Sequence, residues 1–293
     1  MTATPDRAEI IKAIKNIPLL SSSAAKLIEI TSDPDFELDQ LIDVVKCDSA
    51  LTARVLKVVN SAAFGLVHAI SSIDRAISYL GTRTIVSIAI EESAGPLFEK
   101  KLDGYESQRG DLWRHDLRSA IAAREVARCA KSELPPDMAF TAGLLHDIGK
   151  AVLSDFLHGT CQEVLEDIEQ QKITDYLQGE QGRLGINHTE AGYELAKQWK
   201  LPEPLQMTIL HHHQPQEAPE EFRPLVYAVH LGDIITMMGG CGTGADNLQY
   251  HLDKNYVDYF DLAKDDLYLI MLTVEEEFTK LAQSFSDSKE NSG

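Results

Sequence analysis

Apolar residues recur at intervals of three and four along almost the whole chain, and no segment alternates apolar and polar residues as a half-buried strand would. In "DSALTARVLKVVN", for example, Leu51, Val55 and Val59 fall on one face of a helix that Asp48 or Ser49 can cap. This periodicity predicts an all-α protein that folds as a multi-helix bundle.

The charge balance limits what the chain can bind. Its 293 residues include 46 acidic and 27 basic side chains, which give a formal net charge of −19, and 44% of the residues are apolar. Such a field repels nucleic acid, whose phosphates need Lys and Arg to displace their counterions. We therefore expect no nucleic acid polymer as a partner, while proteins, metal cations and small phosphates in a locally basic pocket stay possible.

No stretch has the pattern of a targeting or membrane-spanning segment. The start, "MTATPDRAEIIKAI", lacks a secretory signal pattern, and no apolar run approaches the roughly 20 residues that cross a bilayer. The four cysteines form no Cys-x-x-Cys pair, so we expect them to be reduced and buried. These features predict a cytoplasmic protein that does not enter a membrane.

Two polar or glycine-rich stretches indicate how the chain is organised. "EKKLDGYESQRGD" predicts a boundary between an N-terminal helical subdomain, residues 1–104, and a second subdomain, residues 105–285. A polar tail, residues 286–293, is expected to be disordered. "MMGGCGTGADN" lacks the Lys-Ser/Thr ending of a P-loop, so we interpret it as a flexible connection between helices.

The stretch "LLHDIGK" places His146 and Asp147 directly behind an apolar helix, with Lys150 one turn further on. A carboxylate can bridge two cations while the neighbouring imidazole binds one of them, and such ligands suit iron, manganese, nickel or zinc. An adjacent His-Asp pair alone, however, is more often a hydrogen-bonded pair than a pair of ligands. Companion residues decide between these interpretations.

Residues of the same types lie on other predicted helices. They are His115, His188, three consecutive histidines at 211–213, and Asp233, which falls in an apolar segment where a lone carboxylate would be costly. Each taken singly is more simply explained as a satisfied core histidine, a cap or a solvated helix end. Because the full set would require five coincidences, we predict a metal centre and disfavour a purely structural helical protein.

The motifs also resemble a known group. The order His, His-Asp, His, His-His, Asp is similar to that of the HD superfamily of metal-dependent phosphohydrolases, and "HDIGK" resembles the His-Asp-x-Gly-Lys form of its HD-GYP phosphodiesterase branch. In the N-terminal half, "DSALT" and "NSAAFG" resemble the HDOD domain, an HD-related output domain of bacterial signalling proteins. The likeness runs from about residue 14 to about residue 240 and implies a helical bundle of the HD/HDOD type.

The resemblance implies a role for individual residues. It implies two divalent transition metal ions, which could be iron, manganese, nickel or zinc, with Asp147 bridging them. Lys150 would neutralise phosphate charge and, with Asp147, take part in catalysis, while His211 is the alternative to one of the paired histidines. The implied ligands are His115, His146, Asp147 and Asp233 for the first ion, and Asp147, His188, His212 and His213 for the second.

Departures from the family patterns bear on function. Many HDOD domains have lost most HD ligands, whereas this chain has an apparently complete set. "HHHQPQEAPEEFRPL" lacks the Gly-Tyr-Pro tripeptide of the HD-GYP branch, which weakens the case for cyclic di-GMP as a substrate. Asp111 stands where a trinuclear variant has a longer Glu, so a third metal is doubtful.

Two functional hypotheses follow. The first is a bacterial signalling or regulatory HDOD protein with a di-metal site, whose partners are signalling proteins or a small phosphate-containing ligand. The alternative is an active metal-dependent phosphohydrolase or phosphodiesterase for a nucleotide or another phosphoester, in which the metals supply hydroxide and clamp the phosphoryl group. We place signalling first because the resemblance covers the N-terminal half while the specificity loop of the HD-GYP branch is absent.

Overall fold

The computed structural model describes residues 7–290, and the regular structure in this range is helical, without a β-strand. The predicted all-α class is thus confirmed. None of the described helices combines the length and apolar character that crossing a bilayer requires. The α-helices are α1 Arg7–Lys15, α2 Ser22–Thr31, α3 Leu38–Cys47, α4 Ser49–Val59, α5 Ile73–Leu80, α6 Thr82–Phe98, α7 Asp111–Ala127, α8 Pro136–Leu145, α9 Ile148–Leu153, α10 Cys161–Glu169, α11 Tyr176–Leu184, α12 His188–Gln198, α13 Glu203–His211, α14 Arg223–Met238 and α15 Lys264–Glu290.

The helix ends follow local chemistry in most cases. The Asp48 carboxylate accepts the Leu51 N–H and caps α4, while Gly81 ends α5 with a positive φ of 77° that an L side chain rarely adopts. α6 continues through Pro96 to Phe98, although a proline inside a helix usually breaks or kinks it. α15 also continues to Glu290, so residues 286–290 of the expected tail are helical, and residues 291–293 lie outside the described range.

The buried apolar residues form one cluster that extends from Ile10 in α1 to Phe285 in α15. The expected boundary segment takes part in it, since Leu102 and Tyr105 are fully buried. The division at residue 104 therefore stays a prediction. The expectation for the cysteines was only partly right: Cys161 is buried, Cys129 and Cys241 are half-buried, and Cys47 is exposed at the end of α3.

α7 lies at the centre of the second half and packs most extensively against α8 and α14. Small residues make the close approach possible. A Cβ atom at Gly143 would lie 2.8 Å from Ala120 Cα, and one at Gly232 would lie 2.7 Å from Ala123 N. Glycines on α8 and α14 thus face alanines on α7, which lets the three backbones approach closely, and the polar residues of these helices meet where they cross.

Candidate metal centre

The seven residues predicted as metal ligands lie together in one buried cluster. His115 comes from α7, and Asp233 from α14. The histidine and carboxylate side chains of this cluster are at most 2% exposed. Two groups that could each hold one cation share Asp147; they are His115, Asp116, His146 and Asp147, and Asp147, His188, His212 and His213.

A break in the backbone allows His146 and Asp147 to face the same space. α8 ends at Leu145 and α9 begins at Ile148, and Asp147 between them has φ −99° and ψ 8°. In a continuous helix, neighbouring side chains point about 100° apart. The break changes that relation, so that Asp147 can lie beside the His146 ring, with its Oδ2 atom 3.7 Å from His146 Nε2.

The two oxygen atoms of Asp147 face different sets of histidines. Oδ2 lies 3.7 Å from His115 Nε2 and 3.7 Å from His146 Nε2. Oδ1 lies 3.4 Å from His188 Nε2 and 3.5 Å from His212 Nε2. The carboxylate therefore stands between two groups of ring nitrogens, which is the position that a bridging ligand occupies.

Asp233 has polar partners within the cluster, as the cost of a lone acid in an apolar helix led us to expect. Its Oδ1 atom is 3.1 Å from His115 Nε2 and 3.8 Å from His146 Nε2. Its Oδ2 atom is 3.9 Å from His213 Nδ1. Asp233 thus contacts histidines of both groups.

Hydrogen bonds on the far side of each ring fix which nitrogen faces the cluster. The Nδ1 atoms of His115, His146 and His212 lie 2.7, 2.7 and 2.9 Å from the backbone oxygens of Cys241, Gly143 and Ile209. A carbonyl oxygen only accepts, so each Nδ1 carries a proton, and the Nε2 atom of each ring that is neutral keeps its lone pair. The Nε2 atoms of His146, His188 and His212 are buried without a hydrogen-bond partner among the described residues. Orphaned acceptors of this kind fit a metal ion.

Glu180 fixes the ring of His188 in the same way, and no sequence pattern identified this residue. This carboxylate, in the middle of α11, is fully buried and accepts the His188 backbone N–H at 2.7 Å and the Nδ1–H at 2.9 Å. It also accepts the Tyr105 hydroxyl at 2.7 Å. A carboxylate behind a metal-binding histidine orients the ring and raises its basicity.

The buried charges shift several pKa values in opposite directions. Burial lowers the pKa of His212 to about 4 and holds that of His213 well below its usual range, so both rings are neutral at pH 7. Burial also opposes the charge of His146, but the Asp147 and Asp233 carboxylates outweigh it and raise its pKa to about 10. A cation bound at His146 would therefore have to displace a proton.

Lys150 lies inside the centre rather than at its solvent edge. Its Nζ atom is 2.6 Å from Asp147 Oδ2 and donates a 2.9 Å hydrogen bond to the Thr243 hydroxyl. The same ammonium group is 2.5 Å from Asp246 Oδ2. Burial disfavours its charge, but these carboxylates raise the pKa of Lys150 above its ordinary value. The lysine therefore stays charged and links Asp147 to a distant loop.

That loop, residues 239–253, is the glycine-dense connection that the sequence led us to interpret as flexible. We name it the covering loop, because its contacts close the centre on one side. Asp246 is fully buried and accepts the Tyr250 hydroxyl at 2.9 Å, and the Tyr250 ring stacks on His213 with centroids 3.8 Å apart. The backbone N–H of Asp253 donates to His230 Nε2 at 2.9 Å.

One cavity reaches the cluster from the surface. It has a volume of about 350 Å³ and is lined by His213, Gln214, Gln216, Tyr250 and Asp253, among others. The remaining predicted ligands do not line it. His213 and Tyr250 are therefore the side chains through which a small molecule would meet the centre.

Three further residues have less direct relations to the cluster. Asp116 is fully buried beside His146, with its Oδ1 atom 3.8 Å from Nδ1, and burial raises its pKa to about 8. Asp111, the candidate for a third metal, instead accepts the Gln108 N–H at 2.7 Å and pairs with Arg114 at 2.5 Å. His211 is half-buried and belongs to neither group of candidate ligands among the described residues.

Comparison with known proteins agrees with this architecture. The family model of the HDOD domain matches residues 17–215, which is more than half of the chain. The chain belongs to the HDOD family. The matched segment of this HDOD protein ends before Asp233 and before the covering loop, so the two elements that complete the centre lie C-terminal to it.

Individual relatives resemble this HDOD protein over most of its length. An uncharacterized protein of Treponema pallidum (strain Nichols) is 28% identical over 227 residues, which are 78% of this chain, and the match spans only 43% of that relative. The crystal structure of an HDOD domain protein of unknown function from Geobacter sulfurreducens has a TM-score of 0.64 and 24% identity, covering 97% of this chain and 99% of the other. A candidate phosphohydrolase from Shewanella amazonensis SB2B has a TM-score of 0.58 and 22% identity, covering 96% and 97%. At these identities the solved structures establish the shared fold.

Proposed function

We propose that this chain is a signalling or regulatory HDOD protein that holds two divalent transition metal ions in its buried centre. The first ion would be held by His115, His146, Asp147 and Asp233. The second would be held by His188, His212 and His213, with Asp147 between the two. Iron, manganese, nickel and zinc all accept this mixture of imidazole and carboxylate ligands.

One observation carries the proposal. Asp147 directs one oxygen at each of two groups of histidines, and the outer nitrogens of His146 and His212 are committed to backbone carbonyls. Buried ring nitrogens without hydrogen-bond partners are costly unless something binds them. A pair of cations would provide partners for the inward-facing nitrogens, with Asp147 as the carboxylate that both groups of histidines share.

The enclosure of the centre supports regulation over turnover. Lys150 is only 2% exposed, and its ammonium group is bonded to Asp147 and Asp246. A lysine in this position stabilises the closed covering loop and is not presented to solvent. We propose that the output of the protein is the conformation of this surface, read by signalling proteins or by a small phosphate-containing ligand.

The second candidate function is hydrolysis of a phosphoester, and the cavity at His213 favours it. Two metal ions, when bound, lower the pKa of a water molecule and stabilise negative charge on phosphoryl oxygens. In this chain Asp147 would hold both ions in place, and Lys150 would add positive charge once Asp246 released it. The cavity of about 350 Å³ has room for a small phosphoester beside His213 and Tyr250.

Elemental analysis of the purified full chain, before any chelator treatment, tests the metal centre. We expect about two equivalents of transition metal in the wild type and none in Asp147→Ala, because that residue serves both positions. His115→Ala and His212→Ala should each keep about one equivalent, since each ring serves one position. Asp111→Ala is the matched control and should keep both, because its carboxylate is engaged at the start of α7.

Two results would decide against the proposal. A wild type without transition metal would show that the cluster is held together by its own ion pairs. Equal metal content in the wild type and Asp147→Ala would place the metal elsewhere. A separate screen of phosphoesters with the manganese- or iron-loaded protein distinguishes the two functions. Turnover that Asp147→Asn abolishes would establish hydrolysis. If the metal-loaded protein turns over no phosphoester, the regulatory function is favoured.

A further inference from the structure

A second cavity, which shares no lining residue with the metal centre, is lined by cationic side chains and aromatic rings. It has a volume of about 220 Å³ and lies where α5, α6, α7 and α8 meet α15. None of its lining residues belongs to the metal centre or to the covering loop. The residues that matter for its chemistry are Phe64, Tyr79, Arg83, Arg124, Glu277 and Lys280.

Of the residues that the structure describes, Glu277 is the one acid that lines this cavity, and Arg124 neutralises its charge. Glu277 accepts two hydrogen bonds from Arg124, at 2.7 and 2.8 Å, in the bidentate arrangement typical of a strong ion pair. Arg124 is 1% exposed and donates its remaining Nε–H to Glu125 at 2.6 Å. Glu277 thus directs both carboxylate oxygens at Arg124, and it forms no hydrogen bond with Arg83 or Lys280 among the described residues.

Arg83 and Lys280 are those cations. Arg83 Nη1 lies 3.6 Å from Asp137 Oδ1, which is longer than a normal hydrogen bond, and no hydrogen bond from this guanidinium is formed with the described residues. Lys280 has no carboxylate within ion-pair distance among the described residues and lies 4.9 Å above the Phe64 ring. Burial and the charge of Arg124 lower the pKa of Arg83, and the carboxylates of Asp137 and Glu277 offset them only in part.

The rest of the lining is apolar or aromatic. The Phe64 and Tyr79 rings meet edge to face with centroids 5.8 Å apart, and Phe140 closes the inner side with 1% exposure. A cavity that pairs free hydrogen-bond donors of positive charge with ring surfaces suits a ligand with one anionic and one flat apolar part. In a chain of net charge −19, three cations that line one cavity beside a single acid are not explained by composition.

We propose that this cavity binds a small organic phosphate, whose phosphate group contacts Arg83 and Lys280 and whose ring lies against Phe64 and Tyr79. A guanidinium and an ammonium group are the side chains that recognise phosphate by charge-assisted hydrogen bonds. The ligand would join the "NSAAFG" segment, which contains Phe64, to the C-terminal helix α15. The inference is independent of metal in the other site.

Calorimetric titration of the full-length protein tests the proposal with three probes: adenosine monophosphate, guanosine monophosphate and inorganic phosphate. We expect a nucleotide to bind more tightly than inorganic phosphate, and binding to weaken as salt screens the cations. Arg83→Gln and Lys280→Gln should each weaken binding by about tenfold or more, since each removes a charged hydrogen bond. Lys264→Gln removes a charge from the exposed start of α15 and should bind as the wild type does.

Asp147→Ala separates the two sites, because it alters the metal centre and leaves this cavity intact. Binding that persists in Asp147→Ala and is lost in Arg83→Gln supports the proposal. Binding that is lost in Asp147→Ala but unchanged in Arg83→Gln and Lys280→Gln would assign the nucleotide to the metal centre and overturn the proposal. The proposal would also be overturned if no probe bound with a Kd below about 1 mM. Lys280 is exposed, so Lys280→Gln keeps the test valid even where Arg83→Gln fails to fold.

Discussion

Lys150 and Asp246 form an ion pair that solvent does not reach: Nζ and Oδ2 are 2.5 Å apart, and their side chains are 3% and 0% exposed. The two residues are far apart in sequence, one in the "HDIGK" motif and the other in the covering loop. Their contact ties the loop to the helix that follows Asp147 and acts together with the stacking of Tyr250 on His213 and the hydrogen bond from Asp253 to His230.

Replacement of that charge should destabilise the fold. Lys150→Met leaves Asp246 buried without its cation, and we expect the free energy of unfolding to fall by about 3–5 kcal/mol, as measured by urea denaturation. The double variant Lys150→Met/Asp246→Leu should recover part of this loss, since Asp246 no longer leaves a buried carboxylate without its cation, while Asp147 still lacks the lysine. Lys197→Met is the control, because its pair with Glu194 is exposed and should contribute at most about 1 kcal/mol. Equal losses in the two lysine variants would contradict the role of the buried pair.

Glu180 should control metal affinity at one position only. Glu180→Gln weakens the acceptor behind His188, and we expect about 10- to 100-fold weaker binding of one of the two ions in a chelator competition titration. The ion held by His115 and Asp233 should be unaffected. Glu194→Gln, a surface change on α12, serves as the control. Weaker binding of both ions to the same extent would mean that Glu180 acts through global stability.

Gly149 should tolerate no side chain, because α9 crosses α12 at this point. A Cβ atom here would lie 1.9 Å from the His188 backbone oxygen and 2.6 Å from Gly192 N. We expect Gly149→Ala to lower the free energy of unfolding by about 3 kcal/mol or more, since backbone atoms must move apart. Gly182→Ala in α11 meets no heavy atom within 4 Å and should instead stabilise the protein by about 0.5–1 kcal/mol. A mild effect of Gly149→Ala in thermal unfolding would show that the two helices can separate.

The cap of α4 gives a pH-dependent prediction. The N–H of Leu51 and the hydroxyl of Ser23 lower the pKa of Asp48 below its ordinary value of 3.8. The stability that this carboxylate contributes is therefore present above pH 3.8 and is lost as the pH falls through the lower pKa of the folded protein. Asp48→Ala should cost about 1 kcal/mol at neutral pH, and the difference from the wild type should narrow toward about pH 3 in urea denaturation.

Ser49→Ala is the matched control for that experiment. Ser49 was the other candidate for the cap, but it is the first residue inside α4 and Asp48 precedes it. Its replacement should change stability by less than about 0.5 kcal/mol at either pH. A larger effect of Ser49→Ala than of Asp48→Ala would contradict the assignment of the cap.

The helical fold and several residues of the candidate metal centre could be predicted from sequence. Helical periodicity, and a costly lone acid such as Asp233 in an apolar segment, are both visible in a short window of sequence. The structure brings His212 and His213 together with His188, as the family resemblance implied. Their role as ligands stays a prediction. What periodicity could not show is which polar residues become buried through contacts between distant segments.

Glu180 and Asp246 illustrate that limit. In sequence, Glu180 is one acid among many on a polar helix, and Asp246 follows a run of glycines. Both are fully buried in the fold, since their partners Tyr105 and Lys150 come from segments 75 and 96 residues earlier. Only tertiary packing distinguishes them from solvated acids, and for the same reason the contacts that the glycine-rich loop makes with the centre could not be predicted from its sequence.

The distribution of the central residues along the chain constrains the order in which this protein can fold. His115 and Asp233 lie at opposite ends of the segment that supplies the cluster, and they meet only when α14 has docked on α7. Contacts of such long range form late and slowly, because the entropy of the intervening chain opposes them. A chain still emerging from the ribosome before residue 233 therefore lacks the complete cluster, and cations that need all of it would act on the finished fold rather than guide its assembly.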